Sequence, residues 1–214
     1  MNDTTEKLLT FFKLMQEVKN LIRFEGQVFW EDYPPRRYES VADHTWRMGM
    51  MLITIEPHLQ KPINLSHALK MLLVHDIPEI IAGDASPLGS DGTGNDSHAY
   101  NKDVQESRHK SEEEAAREIF GKLPKEQGDE LLNLWLEFEA QESFEAKVVK
   151  AIDKIEAILQ VLEYTNGYVH AQHREFNMTY GVKPAAIDPA LKSLMQAILN
   201  ELDEKYIEFV PEKN

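Results

Sequence analysis

The chain has 214 residues, enough for one domain with a core of ordinary size. It contains no cysteine, which excludes disulfides, thiolate metal sites and a cysteine nucleophile, and agrees with a reducing compartment. With 37 acidic and 23 basic side chains the formal charge is -14, which repels polyanions and argues against polymeric nucleic acid as a ligand.

The acidic start, Met1 to Glu6, does not resemble a secretory signal. No apolar run approaches the roughly 20 residues that span a bilayer. A cytoplasmic protein without a membrane partner is the expectation. Leu8, Leu9, Phe12, Met15, Val18, Leu21 and Ile22 recur at helical spacing, predicting a helix over 6–22. Arg23 follows that face directly, and by itself reads as a cation at a helix end. Gly26, Pro34 and Pro35 then mark a loop carrying the aromatics Phe29, Trp30 and Tyr33.

Ser40 or Asp43 opens a second helix that runs to Pro57, with His44 in its first turns. A third, Leu65 to Asp76, has Leu69, Leu72 and Leu73 as expected core positions and ends on the pair His75-Asp76. Pro78 lacks a backbone donor, so a kink or restart is expected there, with Glu79 on a short turn closed by Gly83-Asp84. Residues 85–101, rich in Gly, Ser, Asp and Asn, read as a mobile loop. It is no phosphate-cradling loop, since no Gly-Lys-Ser/Thr element follows it.

Charged helices are expected over 103–120 and 129–138. The strongest stripe is Ala146, Val149, Ile152, Ile155, Ile158, Leu159 and Leu162, a helix over 143–164 with Asp153 beside it. Asp188-Pro189 is a cap with proline at the first helical position and opens a final helix, a C-terminal helical extension. Long strand-like alternation is missing, so the class is all-α, a single unit over 1–214.

His75 and Asp76 side by side suit a divalent ion with mixed nitrogen and oxygen ligands. Two neighbours cannot complete such a site, and His44 and Asp153 are the best remaining donors on other helices. The plain alternative for Asp153 is an ion pair with Lys150 or Lys154. His170 and His173, three apart, form a second candidate chelate, without an acid nearby that reads as buried.

The ordered series Glu39-Ser40-Val41-Ala42-Asp43-His44, then Leu73-Val74-His75-Asp76-Ile77-Pro78-Glu79, then Gly83-Asp84-Ala85-Ser86-Pro87 resembles the HD-domain phosphohydrolases. Ala146-Lys147-Val148-Val149-Lys150-Ala151-Ile152-Asp153-Lys154-Ile155-Glu156 continues the likeness. The particular match is to the 5'-deoxynucleotidases, the bacterial YfbR type and its eukaryotic HD-domain-containing relatives, from about Leu8 to Tyr164. The resemblance implies a compact helical bundle and hydrolysis of the 5'-phosphate of 2'-deoxynucleoside monophosphates by a water activated at a divalent metal. It implies His44, His75, Asp76 and Asp153 as ligands of one ion such as Co2+, Mn2+ or Mg2+. Arg23 matches an arginine that reaches the substrate phosphate, Glu79 an acid near the attacking water, and Asp84 an acid lining the nucleotide site. Trp30 and Arg37 are further candidates for substrate contact, against packing over the core and a surface ion pair. A homodimer is implied as well. The alternatives are an HD-family hydrolase of another nucleotide or small phosphoester, and a nucleotide-binding or sensing module without turnover.

Overall fold

The computed structural model describes residues 2–23, 37–87, 97, 98 and 100–208. Trp30, Tyr33 and residues 88–96 of the expected loop lie outside the described residues. The α-helices are, in chain order, α1 (Asp3–Leu14), α2 (Val41–Ile55), α3 (Leu65–Val74), α4 (Glu79–Ala82) and α5 (Lys102–Phe120). They continue as α6 (Lys125–Ala140), α7 (Phe144–Thr165), α8 (Ala171–Phe176) and α9 (Pro189–Glu204). The strands among the described residues are two short ones, β1 (Tyr168–Val169) and β2 (Ile207–Glu208), which pair in parallel. The all-α class expected from the periodicity is the class observed.

Helix α7 is the axis of the molecule. Ser143 caps it, accepting from the Ala146 amide, and the residues buried along it face nearly every direction. It packs against α2, α3, α6, α9 and the 3-10 turn Lys183–Ile187. A helix apolar on most sides belongs in the middle of a bundle, and Val148, Val149, Ile152 and Ile155 are all 1% exposed or less.

Two expected helices end early, for physical reasons that bear on the site. The 6–22 pattern is helical only to Leu14, with a 3-10 turn over Glu17–Lys19. Beyond it the chain leaves the helix to pair with the segment ahead of α2. Ile22 bridges Ser40, Arg23 N–H donates to Glu39 O at 2.9 Å and Val41 N–H to Leu21 O at 2.9 Å. Helix α3 stops at Val74, two residues before the expected end. Pro78 has no N–H to give the Val74 carbonyl, so Ile77 takes that acceptor at 3.2 Å and the backbone turns. His75 and Asp76 therefore sit on a turn rather than in the last turn of a helix. Leu73, expected in the core, is 60% exposed, while Ala68, Met71 and Leu72 fill the buried face.

Candidate active site

Each side chain of the site is placed by an identifiable local device. The Ile22–Ser40 bridge sets Arg23 against Glu39. A capping box starts α2: Ser40 Oγ accepts from the Asp43 amide, and Asp43 accepts from Ser40 N–H at 3.0 Å. That fixes the first turn from which His44 points inward, fully buried. The turn after α3 presents His75 and Asp76, and α4 presents Glu79. Gly83, at φ +82°, closes that short helix with its N–H on Glu79 O at 2.7 Å, a conformation that favours glycine. Helix α7 supplies Asp153 and, one turn on, Glu156.

These residues converge. His75 Nδ1 donates to the Leu72 carbonyl at 2.7 Å, which turns its Nε2 lone pair inward. His44 Nδ1 lies against Glu156 in a short hydrogen bond and 2.8 Å from Arg23 Nη1. A guanidinium has no acceptor, so the Nδ1 proton goes to Glu156 and the Nε2 lone pair of His44 also faces inward. There His44 Nε2 is 3.5 Å from Asp153 Oδ1 and 3.7 Å from Asp76 Oδ2, and His75 Nε2 is 3.1 Å from Asp76 Oδ1. Neither Nε2 has a hydrogen-bond partner, although both are buried. Ligand atoms around one ion stand about 3 Å apart. Two orphaned imidazole nitrogens and two carboxylates at this spacing fit a divalent cation. A second acid-histidine group, Glu39, His44 and Glu156, is already filled, because Arg23 Nη1 stands 3.1 Å from Glu39 and 3.3 Å from Glu156.

The electrostatics agree. Burial and Arg23 press the His44 pKa down, yet Glu156 and Asp153 outweigh them and lift it to about 9. The acids thus demand positive charge at His44 Nε2, which either a proton or a bound cation in its place would supply. At Asp153 burial opposes ionisation, but Lys154, Lys150 and His44 hold its pKa well below the usual range. Burial, reinforced by Asp76 and Asp84, pushes Glu79 well above the usual carboxylate range.

The site opens onto a cavity of about 840 Å3 lined by Arg23, Asp76, Glu79, Asp84 and Asp153. Arg37 does not reach it. Its guanidinium forks onto Asp43 at 2.8 and 2.9 Å, on a side chain 70% exposed, beside a separate cleft. Asp43 is thereby drawn down to about 2. His170 and His173 belong to no cluster of metal-ligating groups among the described residues.

Sequence reading missed several participants. Glu156 sits three residues after Asp153 on the same face, a signal that was present but unweighed. The ion pair weighed for Asp153 is made by both Lys150 and Lys154, at 3.3 and 3.2 Å, and only their place in the cavity lining escaped the sequence. At Lys150 burial is overcome by Asp153, Glu139 and Asp76 together, which raise the pKa, whereas at Lys154 burial and Lys150 prevail and lower it. Arg108 of α5 had no local signal. It donates to Glu112 at 2.6 Å, approaches Glu79 at 3.4 Å and lies 2.7 Å from the His98 ring.

Residues 23–195 match the profile of the HD domain. This chain belongs to the HD domain family. Its matched span opens at Arg23 and includes every residue of the converging cluster. Over 158 residues it is 37% identical to the 5'-deoxynucleotidase HDDC2 of Bos taurus, covering 73% of this chain and 67% of that one. The 5'-deoxynucleotidase YGK1 of Saccharomyces cerevisiae is 30% identical over 166 residues, 75% of this chain and 67% of its own. In fold, this HD domain matches the crystal structure of a predicted metal-dependent phosphohydrolase from Magnetospirillum magnetotacticum MS-1 with a TM-score of 0.70. The two are 22% identical, with 95% and 97% of the chains covered.

Proposed function

We propose that this HD-domain enzyme hydrolyses the 5'-phosphate of 2'-deoxynucleoside monophosphates, with one divalent ion, such as Co2+, Mn2+ or Mg2+, held by His44, His75, Asp76 and Asp153. The observation that carries this reading is the pair of orphaned Nε2 atoms facing Asp76 and Asp153 at the floor of a cavity with cations in its wall. Relatives named 5'-deoxynucleotidase, at 30–37% identity, support the substrate class.

When bound, the ion lowers the pKa of water and neutralises charge developing on the phosphoryl oxygens. The remaining steps fall to the chain itself. Glu156 and the Leu72 carbonyl hold the two imidazoles in the tautomers that keep Nε2 free. Arg23, Lys150 and Lys154 place positive charge against the phosphoryl group, which gains charge towards the transition state. Glu79, a stronger base than an exposed carboxylate, takes a proton from the attacking water. As the water oxygen bonds to phosphorus, the bond to the 5'-oxygen breaks and that alkoxide is protonated. Asp84, half-buried in the same wall, is placed for this proton or for the sugar hydroxyl.

The cations raise a second reading, a polyphosphate substrate. Most of those in the described lining are already matched: Lys150 and Lys154 to Asp153, Arg108 to Glu79 and Glu112, Arg23 to Glu39 and Glu156, and Lys102 to Glu106. That pairing favours the monophosphate over a phosphate chain. The absence of cysteine supports the cytoplasm as the compartment, and the charge of -14 supports a small ligand over a polymeric nucleic acid. A homodimer completes the proposal, and sedimentation measures it.

The test is phosphate release from deoxy- and ribonucleoside 5'-monophosphates by metal-stripped protein resupplied with cobalt, manganese, magnesium or zinc. Metal-dependent release from the deoxy series is expected. No release from any monophosphate with any of the ions would sink the proposal.

A further inference from the structure

The cavity is longer than a phosphate site requires, and its lining changes character along α7. Lys150, Asp153 and Lys154 line one end, and Ala157, Ile158 and Val161 follow on the same face at helical spacing. From Asp153 to Val161 the helix rises about 12 Å, on the order of the reach of a nucleotide from phosphorus to the far edge of its base. The charged end holds the candidate metal ligands. Phe176, Asn177 and Pro184 also line the cavity, and the turns that carry Asn177 and Pro184 pack on α7.

Asn177 is the distinctive group there. It is 3% exposed, and its Nδ2 is buried without a hydrogen-bond partner. An amide left in that condition is costly unless something else satisfies it. The π-turn Asn177–Gly181 that carries it presses closely on α7: a Cβ at Gly181 would meet Ile158 Cδ1 at 2.7 Å. Asn177 is thus fixed on a packed turn, facing the apolar half of the cavity. His173 beside it is kept neutral by burial, its pKa drawn down to about 4, and Lys183, next to Pro184, is the cation of this part of the described lining.

We infer that the apolar end of the cavity, Ala157, Ile158 and Val161 facing Phe176 and Asn177, is the nucleobase site, with the Asn177 amide hydrogen-bonding the edge of the base. The inference rests on the nucleotide reading of the charged end and extends it. Apolar walls take the faces of the ring, and one buried amide donor meets an acceptor, which every nucleobase carries on its edge.

The experiment compares the four 2'-deoxynucleoside 5'-monophosphates with 2-deoxyribose 5-phosphate, which has the same sugar phosphate and no base. Wild-type protein is expected to prefer the nucleotides in kcat/KM. Asn177→Ala should raise KM for the nucleotides about tenfold, unevenly among the bases, and leave 2-deoxyribose 5-phosphate unchanged. Ala157→Leu, compatible with a helix and projecting into the middle of the cavity, should suppress nucleotide turnover and spare the baseless substrate. Equal losses on both substrates would show a structural role for Asn177 and overturn the inference. So would nucleotide kinetics unchanged in both variants, or a wild type indifferent to the base. Should wild-type protein cleave no monophosphate, the functional reading fails separately. The base site is then judged by titrating the same ligands into wild type and Asn177→Ala, where equal affinities overturn it.

Discussion

His44 stands between two sets of acids, and the set on its Nδ1 side decides what the other side can hold. Glu156 accepts the Nδ1 proton and is itself pulled down to about 2, against burial, by His44, Arg23 and Arg47. Glu156→Gln keeps the volume but lets an amide N–H face the ring, which favours the tautomer with its proton on Nε2. Such carboxylate partners typically contribute 10- to 100-fold in metal affinity. The metal concentration giving half activation should rise by that factor, while kcat at saturating metal largely survives; an unchanged midpoint would remove Glu156 from this positioning role. His173 gives a prediction about stability. Burial, with His170 adding to it, lowers its folded pKa to about 4, against about 6.5 in an unfolded chain. The folded pKa is depressed, so the unfolded state binds the proton first as pH falls. Stability is intact above about pH 6.5 and is lost towards pH 4, by about 2 kcal/mol at pH 5 from this one group. In urea titrations at pH 7 and pH 5, His173→Gln should lose about 2 kcal/mol less than wild type. Equal losses would mean that His173 is not held neutral.

At the scale of elements, what could be read from the sequence was what lies along one helix. The stripe from Ala146 to Leu162 marked α7 to within a residue or two, and Asp153 stood out because a carboxylate beside such a stripe needs a partner. Ser40 and Asp43 were both legible as the start of α2, and the structure joins them in one capping box, with Ser40 as the cap. The turn holding His75 and Asp76 was only half legible: Pro78 announced a break, but not that it would act back on Val74. Arg108 was illegible because its neighbours, Gln105-Glu106-Ser107 before it and His109-Lys110 after it, read as a solvated face. Its partners include Glu79, 29 residues away, and His98, 10 away. This arginine clips α5 to α4 across the cavity wall. Arg108→Ala should therefore lower kcat about tenfold or more, with a small change in melting temperature, since Glu79 would lose the cation that orients it. Arg108→Lys should restore part of the rate. A variant with full kcat would show that Glu79 is held without the clip.

At the scale of the whole molecule, the question is whether the segment after α7 is an appendage or part of the core. The pattern at Asp188-Pro189 shows where a helix begins, but nothing local says what it packs on. In the structure Asp188 caps α9 through the Ala190 amide at 2.8 Å and also accepts the Gln60 amide at 2.8 Å, tying it to the chain beyond α2. Leu191, Met195, Ile198, Leu199 and Leu202 are buried, and α9 packs on α7 and on the turn Lys183–Ile187. Gly167, at φ +87°, leaves no room for a Cβ beside the Lys205 backbone. Just beyond it β1 pairs with β2, closing the far end of α7. Five large apolar side chains at about 1.5–3 kcal/mol each amount to roughly 8–15 kcal/mol of burial. That matches the whole net stability of an ordinary domain, about 5–15 kcal/mol. A chain ending at residue 187 should therefore lack a cooperative melt, show much reduced helicity at 222 nm and release no phosphate, although every proposed metal ligand is retained. The cavity wall gives a second reason, since Pro184 stands on a turn that packs on both α9 and α7 and that touches the turn of Asn177. A truncated chain melting cooperatively within a few degrees of the full chain would make α9 an appendage, and would free the active site from any dependence on it.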